Sequence, residues 1–128
     1  MKTSKFILVS ILSIFLYSLG TVEAQAQIIN KKSLLKDLND TEGMVLDDKQ
    51  KKEYKSINNS TANSLLDLEK KNLPKADRDK EVDRIFDKRD KDVEGLFGID
   101  SKIEDTRKTY RKKTRGLRLK IKAAKLVL

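Results

Sequence analysis

The chain of 128 residues contains neither cysteine nor histidine. The first absence removes disulfides, thiolate catalysis and sulfur metal sites together. With histidine missing too, a nucleophile and base would have to be built from Lys, Asp or Glu with a shifted pKa, and no residue pattern places such a group in a pocket. An enzyme is therefore not expected, and no cofactor is assigned. Proline occurs once, at Pro74, and glycine five times. Runs of β-branched residues are missing as well, which favours an all-α reading.

What is present begins with an apolar run. Phe6–Leu19 is fourteen residues long and follows Lys2 and Lys5, with Ala24-Gln25-Ala26 supplying small residues beyond it. The run is short for a bilayer span but fits the hydrophobic part of a secretory signal, so residues 1–26 read as a removed leader and the product as periplasmic or secreted. No cysteine follows the run to carry a lipid. Residues 27–128 remain as a single helical domain whose only aromatics are Tyr54, Phe86, Phe97 and Tyr110. A chain of about a hundred residues buries only about two-thirds of its unfolded surface, so its core is thin.

Four segments carry the helical pattern. Gln27–Asp40 reads as a short, partly frayed helix with Leu34 and Leu38 one turn apart. From Asp48 to about Lys71, Tyr54, Ile57, Thr61, Leu65 and Leu68 step by three and four residues along one face. Pro74 suits the first turn of the next helix, where its missing N–H removes no bond. There Val82, Ile85, Phe86, Val93, Leu96 and Phe97 form a stripe that Gly98 ends. After Asp100, Ile103, Thr106, Tyr110, Thr114, Leu117, Ile121, Ala124 and Leu128 alternate by four and three, the narrow seam of a helix that needs a partner.

Of the nine net positive charges, the leader accounts for one, leaving +8. An exported basic protein meets acidic polypeptides, anionic lipid and surface polymers before nucleic acid, which is not favoured as a partner. Asp79, Asp83, Asp87 and Asp90 lie beside lysines and arginines of their own helix and read as a solvated face held by pairs such as Asp87 with Lys91 and Lys88 with Asp92. Asp90-Lys91-Asp92-Val93-Glu94-Gly95 has the acids and glycine that open a calcium loop. Ser101 stands where the closing glutamate belongs, and Val93 to Phe97 continue the helical stripe, so no metal is assigned. Beyond Asp105 there is no acid, while ten cations occur between Arg107 and Lys125. Arg107, Arg111, Lys112, Lys113, Arg115, Arg118, Lys120 and Lys122 are the candidate anion-binding residues of a basic C-terminal helix, residues 107–128. Its last part, Leu117–Leu128, can be drawn as an amphipathic helix for an anionic membrane or surface polymer.

One short motif adds context. Asp47 is a good N-cap and Gln50 can complete a capping box, with Leu46 an apolar anchor before it and Tyr54 facing inward one turn on. The pattern Leu46, Asp47, Gln50, Tyr54 in a small, basic, exported helical chain resembles the Spy/CpxP-like periplasmic proteins with their repeated Leu-Thr-x-x-Gln motif. A second, degenerate copy starts at Ile99 and Asp100, with Ile103 in the glutamine place. The resemblance implies a four-helix hairpin-like protomer, an antiparallel cradle-like homodimer and an ATP-independent chaperone of unfolded envelope proteins, or a partner of a stress sensor. A membrane-surface or polymer binder, and a structural helical protein without ligand, are the alternative expectations.

Overall fold

The structure, a computed structural model, describes residues 27–98 and 103–127. The leader assigned to residues 1–26, and Ile99 and Asp100 of the second motif, lie outside the described residues. The described chain is mainly helical, as the pattern predicts: α1 (Lys31–Leu38), α2 (Asp48–Lys70), α3 (Lys75–Phe97) and α4 (Glu104–Ala123). Two three-residue strands, β1 (Ile28–Asn30) and β2 (Lys125–Val127), add a small parallel sheet.

Helix starts follow local chemistry. The Asp47 side chain accepts from Gln50 N–H at 2.7 Å while Gln50 Oε1 accepts from Asp47 N–H at 3.0 Å, the capping box read from sequence. The same Gln50 donates its amide to Leu96 O at 3.4 Å, which ties the start of α2 to the end of α3. Pro74 sits one place before the first turn, as the N-cap of α3, and its carbonyl accepts from Arg78 N–H. Gly98 ends α3 with φ at +72°, a conformation that disfavours side chains bearing a Cβ.

Short connections make α2, α3 and α4 run alternately up and down, with α1 packed on α2. Their apolar faces form two clusters. At one end Leu46, Tyr54, Val93, Phe97 and Tyr110 pack together, with Tyr110 edge-on to Tyr54 and Phe97. At the other, Leu34, Leu38, Leu65, Val82, Phe86 and Ile121 meet Ile29 and Leu126 of the two strands.

Both chain ends differ from the sequence reading. Gln27–Asp40 is a strand and then a well-capped helix, with Asn30 Oδ1 accepting from Ser33 N–H, rather than one frayed helix. At the other end α4 stops at Ala123, so the amphipathic helix drawn to Leu128 is not formed. Lys125–Val127 instead pairs with Ile28–Asn30, burying Ile29 and Leu126 on one side. Arg78 holds the helix end: its guanidinium donates to the carbonyls of Ile121, Lys122 and Ala124 and pairs with Glu69, meeting the bare carbonyls of a helix C-terminus with positive charge. Finally, the seam on α4 is filled inside the protomer. Thr106, Tyr110, Thr114 and Ile121 are all buried, so the seam itself gives no reason for a second copy.

Candidate functional site

Successive residues of an α-helix are rotated by about 100°, and on α4 this sorts the basic run into faces of different fate. Arg107, Arg111, Arg118 and Lys122 face α3. There Arg107 and Arg111 meet Glu94, Arg118 meets Asp83, Asp87 and Asp90, and Lys122 meets Asp83. Lys113 and Lys120 face the other way, reaching Asp40 just past α1 and Asp37 on it, both at 2.8 Å. Six of the eight predicted anion-binding residues are thus ion-paired within the chain.

The acidic face of α3 is corrected by the same contacts. Lys88 does pair with Asp92 on its own helix. Asp79 likewise pairs with Lys75 of its own helix, but Asp87, though exposed, turns to Arg118 instead of Lys91, and Asp83 and Asp90 do the same, so three of the four acids also serve an interhelical ladder. Asp90 and Glu94 of the calcium-like stretch are part of that ladder, inside a continuous helix. No group of residues able to hold a metal ion occurs among the described residues.

The cations that α4 leaves without an ion pair among the described residues form a single strip. Lys108, Lys112 and Arg115 are exposed and, among the described residues, form no ion pair. In line with them stands Leu119, 63% exposed. Leu119 opens onto a groove of about 760 Å³ lined by the apolar Leu73, Ala123 and Ala124, by Lys75, Arg78, Lys122 and Lys125, and by the carboxylates of Glu69 and Asp79, which pair with Arg78 and Lys75. Predicted residues Lys112 and Arg115 belong to this strip. Lys108 and Leu119 join them only because the helix geometry places them there.

No protein-family model matches the chain, and no curated protein or solved structure matches it. The site is therefore read from its own chemistry. Exposed cations beside an apolar groove can attract and loosely hold an anionic chain; nothing in the strip forms a nucleophile and base. Tyr110, behind the strip, is no acid-base group near neutral pH, because burial pushes its hydroxyl far up despite the Arg89 guanidinium nearby.

Sequence reading missed Arg89. Only 3% exposed, it has no carboxylate partner among the described residues and is held by neutral groups from three other helices. It donates to Asn58 Oδ1 (2.8 Å), Thr114 Oγ1 (3.0 Å), Tyr54 OH (2.9 Å) and Leu38 O (3.1 Å). The rings of Tyr54 and Tyr110 lie 5.6 and 5.1 Å from its central carbon. A signal existed: Arg89 fills the gap between Phe86 and Val93 in the apolar stripe, three residues after one and four before the other.

The ladder that fixes α4 also sets a pH dependence. Hydrogen bonding by Lys122 holds the Asp83 carboxyl below its ordinary 3.8, and Lys113 does the same for Asp40. Each carboxylate, its folded pKa lowered, adds stability that is complete above 3.8 and lost as pH falls through the lowered value. The melting temperature is expected to hold down to about pH 4 and then fall, and less steeply in a Lys113→Met, Lys122→Met double variant; thermal melts from pH 6 to 2 read both slopes. An equal slope in the two proteins would remove these pairs as its source.

Proposed function

We propose that the chain is a non-enzymatic binding protein of the cell envelope that holds acidic, partly unfolded polypeptides on the outward face of α4. The observation that carries this reading is the strip itself: after six cations of α4 are matched by acids, Lys108, Lys112 and Arg115 stay outward in line with exposed Leu119. Exposed charges speed encounter with acidic chains, while each contact contributes only about 0–1 kcal/mol, so a client is held weakly enough to let go and fold. The leader-like first residues and the Leu46, Asp47, Gln50, Tyr54 motif support the same reading. A stress-sensor protein remains within it as a second kind of partner.

The membrane alternative is weakened by burial. An interfacial helix needs a free apolar face, and on α4 that face, Tyr110, Thr114 and Ile121, is packed inside the protein. Among the described residues no helix is long and apolar enough to cross a membrane. The homodimer implied by the resemblance is read directly by light scattering on residues 27–128.

Deleting Leu117–Leu128 is a poor test, since it strips Ile121, Ala124 and Leu126 from the core. Charge reversal is cleaner. A Lys112→Glu, Arg115→Glu variant is expected to keep its circular dichroism spectrum and melting temperature, because both side chains are exposed. It is also expected to lose most of the suppression of aggregation that the parent shows toward a reduced acidic client at low salt. A parent that suppresses nothing, or a variant that suppresses equally well, would sink the proposal.

A further inference from the structure

The strip has a spacing as well as a charge. Along α4 the rise from Lys108 to Lys112 is about 6 Å, from Lys112 to Arg115 about 4.5 Å and from Arg115 to Leu119 about 6 Å. In an extended chain, side chains on one edge repeat every two residues, about 6.8 Å. The two ladders drift apart by only about 4 Å over the whole strip, which the flexible stems of two lysines and one arginine span.

We propose, resting on the reading of α4's outward face as the binding surface, that it recognises an extended peptide with acidic residues at alternate positions followed by an apolar residue. The acids meet Lys108, Lys112 and Arg115 in turn, none of which is ion-paired among the described residues. The apolar side chain lies over Leu119 and enters the groove lined in part by Leu73 and Ala123. An acidic helix would match the spacing too, but helix docking relies on several apolar anchors in a groove, and this face offers one exposed leucine. A strand places its acids on the cations while asking for a single apolar contact.

Fluorescein-labelled peptides test this by anisotropy against the full mature chain, residues 27–128. The alternating probe is Asp-Ser-Asp-Ser-Asp-Ser-Leu; its isomer is Asp-Asp-Asp-Ser-Ser-Ser-Leu, of the same charge. The alternating probe is expected to bind about threefold to fivefold tighter than the isomer, the difference one misplaced ion pair makes. Leu119→Ser is expected to weaken it about tenfold, and since Leu119 is exposed the variant should fold normally, as circular dichroism checks. Equal affinity for the two isomers, no effect of Leu119→Ser, or helix formation by the bound peptide would each overturn the inference. If the isomers bind alike while the Lys112→Glu, Arg115→Glu variant still loses aggregation suppression, the alternating register fails and the proposed function stands. Register-selective binding without any aggregation suppression would leave the inference standing and remove the proposed function.

Discussion

Arg89→Ala is expected to destabilise the protein by about 3–5 kcal/mol, read as a lowered urea midpoint with the spectrum of the folded state otherwise kept. The guanidinium is a hub: four of its hydrogen bonds go to α1, α2 and α4, and two tyrosine rings flank it. Truncation leaves Asn58 Oδ1 and the Thr114 hydroxyl, both buried, without this donor. Each unsatisfied group costs about 1–3 kcal/mol, and the space once filled by a long side chain adds to it. Small domains have about 5–15 kcal/mol in total, so the variant sits near the edge of folding. Arg89→Lys is also expected to be destabilising, because one ammonium cannot reproduce a planar fork that serves four acceptors. By contrast, replacing the layer together, with Arg89→Met, Asn58→Leu, Thr114→Val and Tyr54→Phe, should recover part of the loss, since of the four acceptors only the Leu38 carbonyl then loses its side-chain donors. A single Arg89→Ala variant as stable as the parent would show that desolvating the cation already offsets all its bonds.

Removing Lys125–Leu128 is the second large expectation, a loss of about 4 kcal/mol in a thermal or urea melt. Were those residues a fraying helix end, deletion would change little. In the structure Leu126 is 4% exposed, inside the cluster that contains Ile29, Leu34 and Leu38. Burying one leucine is worth about 1.5–3 kcal/mol. The deletion also breaks the bond from Lys125 N–H to Gln27 O at 2.8 Å and the contact of Leu126 N–H with Glu69, and it uncovers Ile29. Hydrogen exchange should show the effect spreading to the amides of α1, which β1 leads into. Unchanged protection in α1 would mean that the strand pair is not coupled to the core.

The capping box at Asp47 and Gln50, the stripes of α2 and α3 and the seam of α4 were legible because each depends on neighbours one to four residues away. Local periodicity of that kind survives folding unchanged. The exceptions are informative. Arg89 and Asn58 break the apolar pattern of their helices, so periodicity gives them no place in the core, yet they form the polar layer between the two apolar clusters. Nothing in a single helix shows that the missing partner of one lies 31 residues away in the other. The strands were missed for the same reason. Three residues of Ile28–Asn30 carry no pattern until Lys125–Val127 arrives beside them from the far end of the chain.

The basic run shows the division most plainly. By itself the sequence determined that the chain is helical, basic and without thiol or imidazole chemistry, and that its last helix concentrates ten cations between Arg107 and Lys125. Only the tertiary structure decided what those cations do. Packing Tyr110, Thr114 and Ile121 inward fixes the rotation of α4, which turns Arg107, Arg111, Arg118 and Lys122 to the acids of α3 and Lys113 and Lys120 to Asp40 and Asp37. Lys108, Lys112 and Arg115 are left to water with Leu119 beside them. A charge count is a property of the chain, but whether a charge is spent on a neighbour or presented to a partner depends on which way its helix is turned.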